Sequence, residues 1–91
     1  MSESNVVELE DVVDISKVEH LLESLKKSAD KGGQIKVDAS KVTRIDTAGL
    51  QLLFSFQKTL NDQHGQVTIV NPSDDFMQYA RLVGFNEVFM F

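Results

Sequence analysis

A change of hydrophobic pattern near the middle of the chain constrains the fold more than any other feature. Ile35 and Val37 are β-branched and alternate with polar residues directly after Gly32-Gly33, which is typical of a strand entry. From Leu50 to Leu60 the apolar residues recur at the spacing of a helix. Polar residues separate the two patterns, so the sequence predicts a strand, a loop and a helix in direct succession.

Asp46 and Thr47 stand at the predicted start of this helix. Both residue types are favoured at helix N-caps, because their side-chain oxygens accept hydrogen bonds from unpaired backbone N–H groups. A hydroxyl at this position can also carry a phosphate, since the helix dipole and the free N–H groups favour an anion. Gly49 weakens a helix interior, but in the first turn it permits close approach of another group. From these residues alone, Thr47 is either a cap or a phosphoacceptor.

The residues from Asp38 to Leu50 form a longer pattern, Asp-x-Ser-x-Val-x-x-Ile-Asp-Thr-x-Gly-Leu. This pattern resembles the signature of the STAS domain family, which includes the anti-sigma factor antagonists. In that family the motif runs from a core strand into the loop and helix that carry a phosphorylatable Ser or Thr. The resemblance therefore implies that Thr47 is the phosphoacceptor. It also implies that four residues shape the loop around it, namely Asp38, Ser40, Asp46 and Gly49.

Strand and helix signals alternate along the chain. The predicted strands are Val6 to Leu9, Gln34 to Asp38, Gln66 to Val70 and Val88 to Phe91. The predicted helices begin at Ser16, Thr47 and Ser73. Crossovers that contain helices join parallel strands, so this order predicts an α/β fold with a mostly parallel sheet. The resemblance implies the STAS fold, and we expect one STAS domain over residues 1–91, with about four strands and three helices mainly on one face. Only about one strand fits before the first helix.

Local signals predict how the first and last helices begin and end. Ser16 and Glu19 have the spacing of a capping box, which places the first helix start at Ser16. Ser73 is expected to cap the last helix. Gly84 is placed for a left-handed C-terminal cap, with Phe85 supplying the hydrophobic contact that often accompanies it.

The central helix, predicted from Thr47 to Gln63, carries two stripes at helical spacing. The apolar stripe is expected to face the core and consists of Leu50, Leu53, Phe56 and Leu60. The second stripe is expected to be exposed and to bind a partner, and it consists of Thr47, Gln51, Phe54 and Lys58. Phe54 is open to a second interpretation, in which it packs under a neighbouring loop.

Composition excludes several function classes. The 91 residues carry a formal net charge of −5, which argues against nucleic acid or an anionic membrane as a direct partner. Because the chain has no cysteine, disulfides, thiol catalysis and thiolate metal sites are excluded. No apolar run approaches the roughly 20 residues that span a bilayer, and the first residues lack the pattern of a signal peptide. A cytoplasmic location without membrane insertion is therefore expected. His20 and His64 form no metal-site pattern, so no metal is expected.

The chain shows no arrangement of nucleophile, base and orienting residue, so we expect neither an enzyme nor a cofactor. The resemblance instead implies a small regulatory protein that binds an anti-sigma factor with serine/threonine kinase activity, or another ATPase, and is switched by phosphorylation of Thr47. Two alternatives remain open. One is a STAS subunit bound to the ATPase of a phospholipid-transport ABC system. The other is a STAS accessory protein of chemotaxis signalling.

Overall fold

The computed structural model, which describes residues 5–31 and 33–84, consists of short parallel strands and helices. The strands are β1 (Val6–Glu8), β2 (Val12–Val13), β3 (Gln34–Asp38), β4 (Arg44–Ile45) and β5 (Gln66–Val70). The helices are α1 (Val18–Ala29), α2 (Thr47–Asp62) and α3 (Asp74–Leu82). A 3₁₀ turn, Ile15–Lys17, leads directly into α1. The predicted strand at Val88 to Phe91 and the predicted contact of Phe85 lie outside the described residues.

The strands form two parallel sheets in the described part of the chain. Three strands pair in the order β1-β3-β5, and β2 pairs with β4 beyond them. Val7 lies opposite Val37 in the first pair, and Val13 lies opposite Ile45 in the short pair. This architecture confirms the predicted α/β STAS fold. The expectation of about one strand before α1 is wrong, because both β1 and β2 precede that helix.

The helices cover one face of the larger sheet. Alternate residues of the strands are buried in a single core, whereas Gln34, Lys36 and Thr68 are exposed on the opposite face. The strands contribute Val7, Ile35, Val37 and Val67 to this core. The helices contribute Leu21, Leu25, Leu50, Leu53, Leu60, Phe76 and Ala80. Because strand and helix residues meet in one cluster, the predicted placement of the helices mainly on one face is confirmed.

The helix ends agree with the sequence signals at α3 and differ at α1. The Ser73 hydroxyl accepts a hydrogen bond from the Phe76 N–H over 3.0 Å, as expected of an N-cap. Gly84 adopts a left-handed φ of 80°, as predicted for the end of α3. The capping box at Ser16 is wrong. Asp14 caps the 3₁₀ turn instead, and its carboxylate accepts from the Ser16 N–H over 3.0 Å.

Across residues 5–31 and 33–84, the structure contains no helix that is both long and apolar enough to cross a membrane. The longest helix, α2, spans 16 residues and exposes polar side chains along one side.

Candidate functional site

The short pair of strands β2 and β4 sets the position of the site. Each strand leads through an aspartate into a helical segment: β2 through Asp14 into the 3₁₀ turn, and β4 through Asp46 into α2. The Asp46 N–H donates to the Val13 carbonyl over 3.0 Å, which extends the pairing by one residue. The 3₁₀ turn also packs against α2. Two helical segments therefore begin side by side, and Thr47 is the first residue of one of them.

The loop before β4 is fixed by one backbone carbonyl. The Asp11 carbonyl accepts from the Thr43 N–H over 2.7 Å, from the Arg44 N–H over 3.1 Å and from the Thr43 hydroxyl over 3.0 Å. Val42 is buried within the same loop. These hydrogen bonds attach the loop that leads to Thr47 to Asp11, which lies 32 residues before Thr43 in the sequence.

Asp38 and Ser40 form the turn at the end of β3. The Asp38 carboxylate accepts from the Ser40 N–H over 2.9 Å. The backbone N–H of Ser40, its hydroxyl and the Asn71 side chain hold the pKa of the Asp38 carboxyl below its usual value, and Lys41 adds to this effect. The structure thus places both residues in the loop that leads to Thr47. Their hydrogen bond stabilises the first turn of this connection.

Thr47 is exposed at the first position of α2. Asp46 has the extended backbone of an N-cap residue, and its carbonyl accepts from the Leu50 N–H over 3.1 Å. Among the described residues, however, its carboxylate makes no capping hydrogen bond to α2 and instead lies 3.7 Å from the Arg44 Nε. The expectation that the Asp46 side chain caps this helix is therefore wrong. The first turn of α2 therefore forms without the Asp46 carboxylate as a hydrogen-bond acceptor.

Gly49 allows α2 to pack closely against the short strand pair. A Cβ atom at this position would lie 3.0 Å from the Val13 Cγ1 and 3.1 Å from the Ile45 Cγ1. Such distances are tighter than ordinary carbon contacts of about 3.5–4.0 Å, so the neighbours would have to move. The close approach that the sequence predicted at Gly49 is therefore made by the domain's own strands.

The predicted exposed stripe of α2 is present, with one exception. Thr47, Gln51 and Lys58 are exposed along the helix. Phe54 is partly buried and packs against the core, so it is less exposed than the stripe predicted and closer to the second interpretation, in which it is packed. Phe56 is also only partly buried, although it packs against the core as expected. Helical spacing assigned both aromatic residues to a face, but it could not show which neighbours partly cover them.

Sequence reasoning missed the residues that hold the site in place, namely Asp11, Val13 and Asp14. The structure pairs Val12 and Val13 with Arg44 and Ile45, and no pattern in the sequence indicated this register. Their apolar character was the only available signal. Within residues 5–31 and 33–84, no cluster of histidine and acidic side chains has the arrangement of a metal site.

Comparison with protein families places this geometry in a known group. Residues 1–90 match the model of the family described as "Mlab, STAS domain". The chain belongs to this family of STAS domains. No curated protein matches its sequence.

Solved structures share the fold of this STAS domain at low sequence identity. The anti-sigma factor antagonist SpoIIAA in its unphosphorylated form is 19% identical, with a TM-score of 0.75 over 90% of this chain and 73% of that chain. The Thermotoga maritima protein TM1081 is 18% identical, with a TM-score of 0.76 over 97% of this chain and 79% of that chain. The murine anion transporter Slc26a9 is 17% identical, with a TM-score of 0.78 over 96% of this chain and 15% of that chain. At these identities the likeness establishes the fold alone.

Proposed function

We propose that this STAS domain is a non-catalytic regulatory protein that binds an ATPase or kinase-type partner through the start of α2. One observation carries the proposal. Thr47 is exposed at a helix start that backbone hydrogen bonds to Val13 and Asp11 hold in place. Gln51 and Lys58 extend the same exposed side along the helix. A partner would therefore meet a preformed surface with the hydroxyl at one end.

Phosphorylation of Thr47 would add a strongly hydrated, charged group to this surface. A phosphate adds about −1.5 to −2 charges at neutral pH and brings three strong acceptor oxygens. The N-terminal turn of α2 favours an anion, so the modified residue would be tolerated within the domain itself. The cost of desolvating the phosphate would disrupt a partner surface that packs closely against the unmodified hydroxyl. Similarity to Bacillus SpoIIAA, which has been solved in a phosphorylated form, supports this version of the proposal.

The matched family favours a second candidate. Its description names Mlab, whereas the anti-sigma factor antagonists are linked to this chain by fold alone. In this candidate the domain is a subunit bound to the ATPase of a phospholipid-transport ABC system, as the sequence resemblance also implied. Thr47 would then be a contact residue in a lasting complex and would not need to be modified.

Affinity capture with the tagged domain separates the candidates. We expect the native host's lysate to yield a complex with an ATPase or kinase-type protein, identified by mass spectrometry. The purified pair is then incubated with ATP. Transfer of one phosphate to the wild type and to Thr47→Ser, but not to Thr47→Ala, identifies the switched form. A stable complex that hydrolyses ATP without modifying the domain identifies the subunit form. Phosphate at Ser40 or Thr43 would contradict the role of Thr47.

Variants of α2 test whether the exposed stripe is the binding surface. Gln51→Ala and Lys58→Ala should weaken the captured complex while leaving the melting temperature nearly unchanged, because both side chains are exposed. Leu53→Ala should instead lower the free energy of unfolding by about 2–5 kcal/mol through a core cavity. Glu23→Ala, on the exposed side of α1, is the matched control and should change neither quantity. Normal binding by both α2 variants would contradict the proposal.

A further inference from the structure

Ile15 is the most exposed large hydrophobic residue among those described, with 75% of its surface accessible. It is the first residue of the 3₁₀ turn and lies outside the core cluster. Full burial of an isoleucine side chain contributes about 1.5–3 kcal/mol, so its exposure forgoes that stabilisation. Single exposed apolar residues are common on protein surfaces, and the significance of Ile15 depends on its surroundings.

The backbone around Ile15 is held firmly. The Asp14 carboxylate accepts from both the N–H and the hydroxyl of Ser16, which closes the turn over Ile15. The Lys17 ammonium donates to the Val12 carbonyl over 2.9 Å and lies 2.9 Å from the Glu10 carboxylate. These contacts secure the turn on both sides. The isoleucine side chain is therefore presented to solvent from a fixed position.

Ile15 lies beside the start of α2. Val13 and Ile45 are opposite each other in the short strand pair, and each is followed by an aspartate and then by the first helical residue, Ile15 or Thr47. The hydrogen bond from the Asp46 N–H to the Val13 carbonyl keeps the two segments together at this point. Ile15 and Thr47, both exposed, thus occupy equivalent positions at two neighbouring helical starts.

The surface around this pair is acidic. The segments 8–17, 38–46 and 70–75 contain the ends of the sheet strands and the connections that follow them, and they hold eight acidic residues and three basic ones. Their net charge of −5 equals the formal charge of the whole chain. Each of the three cations lies near a carboxylate: Lys17 near Glu10, Lys41 near Glu8 and Arg44 near Asp46. The remaining acids of these segments are Asp11, Asp14, Asp38, Asp74 and Asp75.

From this arrangement we infer that Ile15 is an apolar anchor for a protein partner whose surface offers a hydrophobic socket bordered by lysine and arginine. Opposite charges at the rim guide association and favour the matching partner, while the buried apolar contact supplies binding energy. The inference rests on the proposed function for the class of partner, and it adds the chemistry of the partner's surface. A second copy of this domain fits poorly, because a symmetric contact here would bring two acidic edges together.

A designed peptide tests the surface without knowledge of the native partner. The probe is an amphipathic helix of about 18 residues, long enough to form a helix, with leucine on one face and lysine on the other. A second peptide replaces every lysine with glutamate. In two-dimensional NMR of the labelled domain, the lysine peptide should shift the amide signals of residues 14–17 and 46–51. Raising the salt concentration from roughly 50 to 500 mM should weaken its binding, and the glutamate peptide should not bind.

Two matched variants separate the anchor from general charge attraction. Ile15→Ser should weaken binding of the lysine peptide about tenfold or more. Leu82→Ser removes a residue that is 74% exposed at the end of α3, and it should change the affinity less than about twofold. Both variants should melt like the wild type, since neither side chain is buried. Equal effects of the two variants, equal binding of both peptides, or self-association through residues 14–17 would overturn the inference.

The same two variants are then applied to any ATPase or kinase-type protein obtained by affinity capture. Ile15→Ser should weaken that complex about tenfold or more, and Leu82→Ser should leave it unchanged. If the lysine peptide binds at Ile15 but no such protein is captured, the proposed function fails and the surface chemistry stands. If a partner is captured and Ile15→Ser binds it normally, the proposed function stands and the anchor is wrong.

Discussion

The two helical starts that follow β2 and β4 have the same layout but differ in how they are capped. In the first, the Asp14 carboxylate accepts from the Ser16 N–H and closes the turn. In the second, the Asp46 carboxylate lies beside Arg44 and accepts no capping hydrogen bond from the first turn of α2. An aspartate before a helix is therefore not sufficient to assign a cap. The first start is capped by a side chain of the domain, whereas the second exposes Thr47 and has no cap from the Asp46 side chain.

The two starts also differ in how closely they are packed. Gly49 brings the first turn of α2 against Val13 and Ile45, while Ile15 of the other start remains exposed. The start that we propose for partner binding is thus the one that is most tightly seated on the strands. The packing of Gly49 against the strands positions Thr47, and the Thr47 side chain is not needed for it.

The largest expected effect comes from disturbing this seating. Gly49→Val should lower the free energy of unfolding by about 1–3 kcal/mol, because the added atoms would overlap Val13 and Ile45. Chemical denaturation measures the change. Ser55→Val is the control on an exposed position of α2 and should change stability by less than about 0.5 kcal/mol. Equal stability of the two variants would show that Gly49 is not required for packing.

Removal of each aspartate directly compares the two starts. Asp14→Ala should lower the melting temperature because it removes a cap, whereas Asp46→Ala should change stability by less than about 0.5 kcal/mol. Ser73→Ala is the reference, since it removes a confirmed cap and should cost about 0.5–2 kcal/mol. Thermal unfolding of the three variants under one buffer condition checks the order. A larger loss for Asp46→Ala than for Asp14→Ala would reverse our comparison.

A smaller effect is expected from adding charge at the open start. Thr47→Glu should leave the fold intact and stabilise it by up to about 0.3–1 kcal/mol, because an acid in the first turn interacts favourably with the helix dipole. Gln51→Glu is the matched control one turn later, where this interaction has largely decayed. Denaturation at low salt, where the difference is greatest, provides the measurement. Strong destabilisation by Thr47→Glu would mean that the N-terminal turn cannot accommodate an anion.

The smallest effect concerns acid pH at the capped start. The Ser16 hydroxyl, its N–H and Lys17 hold the pKa of the Asp14 carboxyl below its ordinary value. The charged cap therefore contributes stability above the unfolded-state pKa of about 3.9, and this contribution is lost as the pH falls through the lower folded-state pKa. Asp14→Asn retains an acceptor but does not titrate. Relative to this variant, the wild type should lose melting temperature below about pH 4, and a constant difference would contradict the assignment.

Much of the fold could be predicted because its signals are local. The alternation in Gln34–Asp38 and Gln66–Val70, and the hydroxyl of Ser73 before two acids, are each decided by residues close in sequence. The role of Thr47 was inferred from a continuous motif in the same way, and it stays a prediction. These elements therefore appear where the sequence predicts them.

The remaining features depend on contacts between distant parts of the chain. A two-residue strand such as Val12–Val13 has no periodicity to detect, and only its pairing with Arg44–Ile45 makes it a strand. Ser16 has the sequence pattern of a cap for α1, but in the structure Asp14 caps the 3₁₀ turn that leads into this helix. Phe54 follows the spacing of an exposed stripe, yet it is partly covered by packing that spacing alone does not reveal.

The hydrogen bonds that cross from the segment around Asp11 to the loop before α2 have a consequence for local opening. The amide protons of Thr43, Arg44 and Asp46 are all donated to carbonyls of residues 11 and 13, so they become exchangeable when the two segments separate. Hydrogen exchange at these amides would report the free energy of exposing the approach to Thr47, independently of global unfolding. A partner that closes over this surface should slow exchange at all three positions together, including at residues that it does not touch.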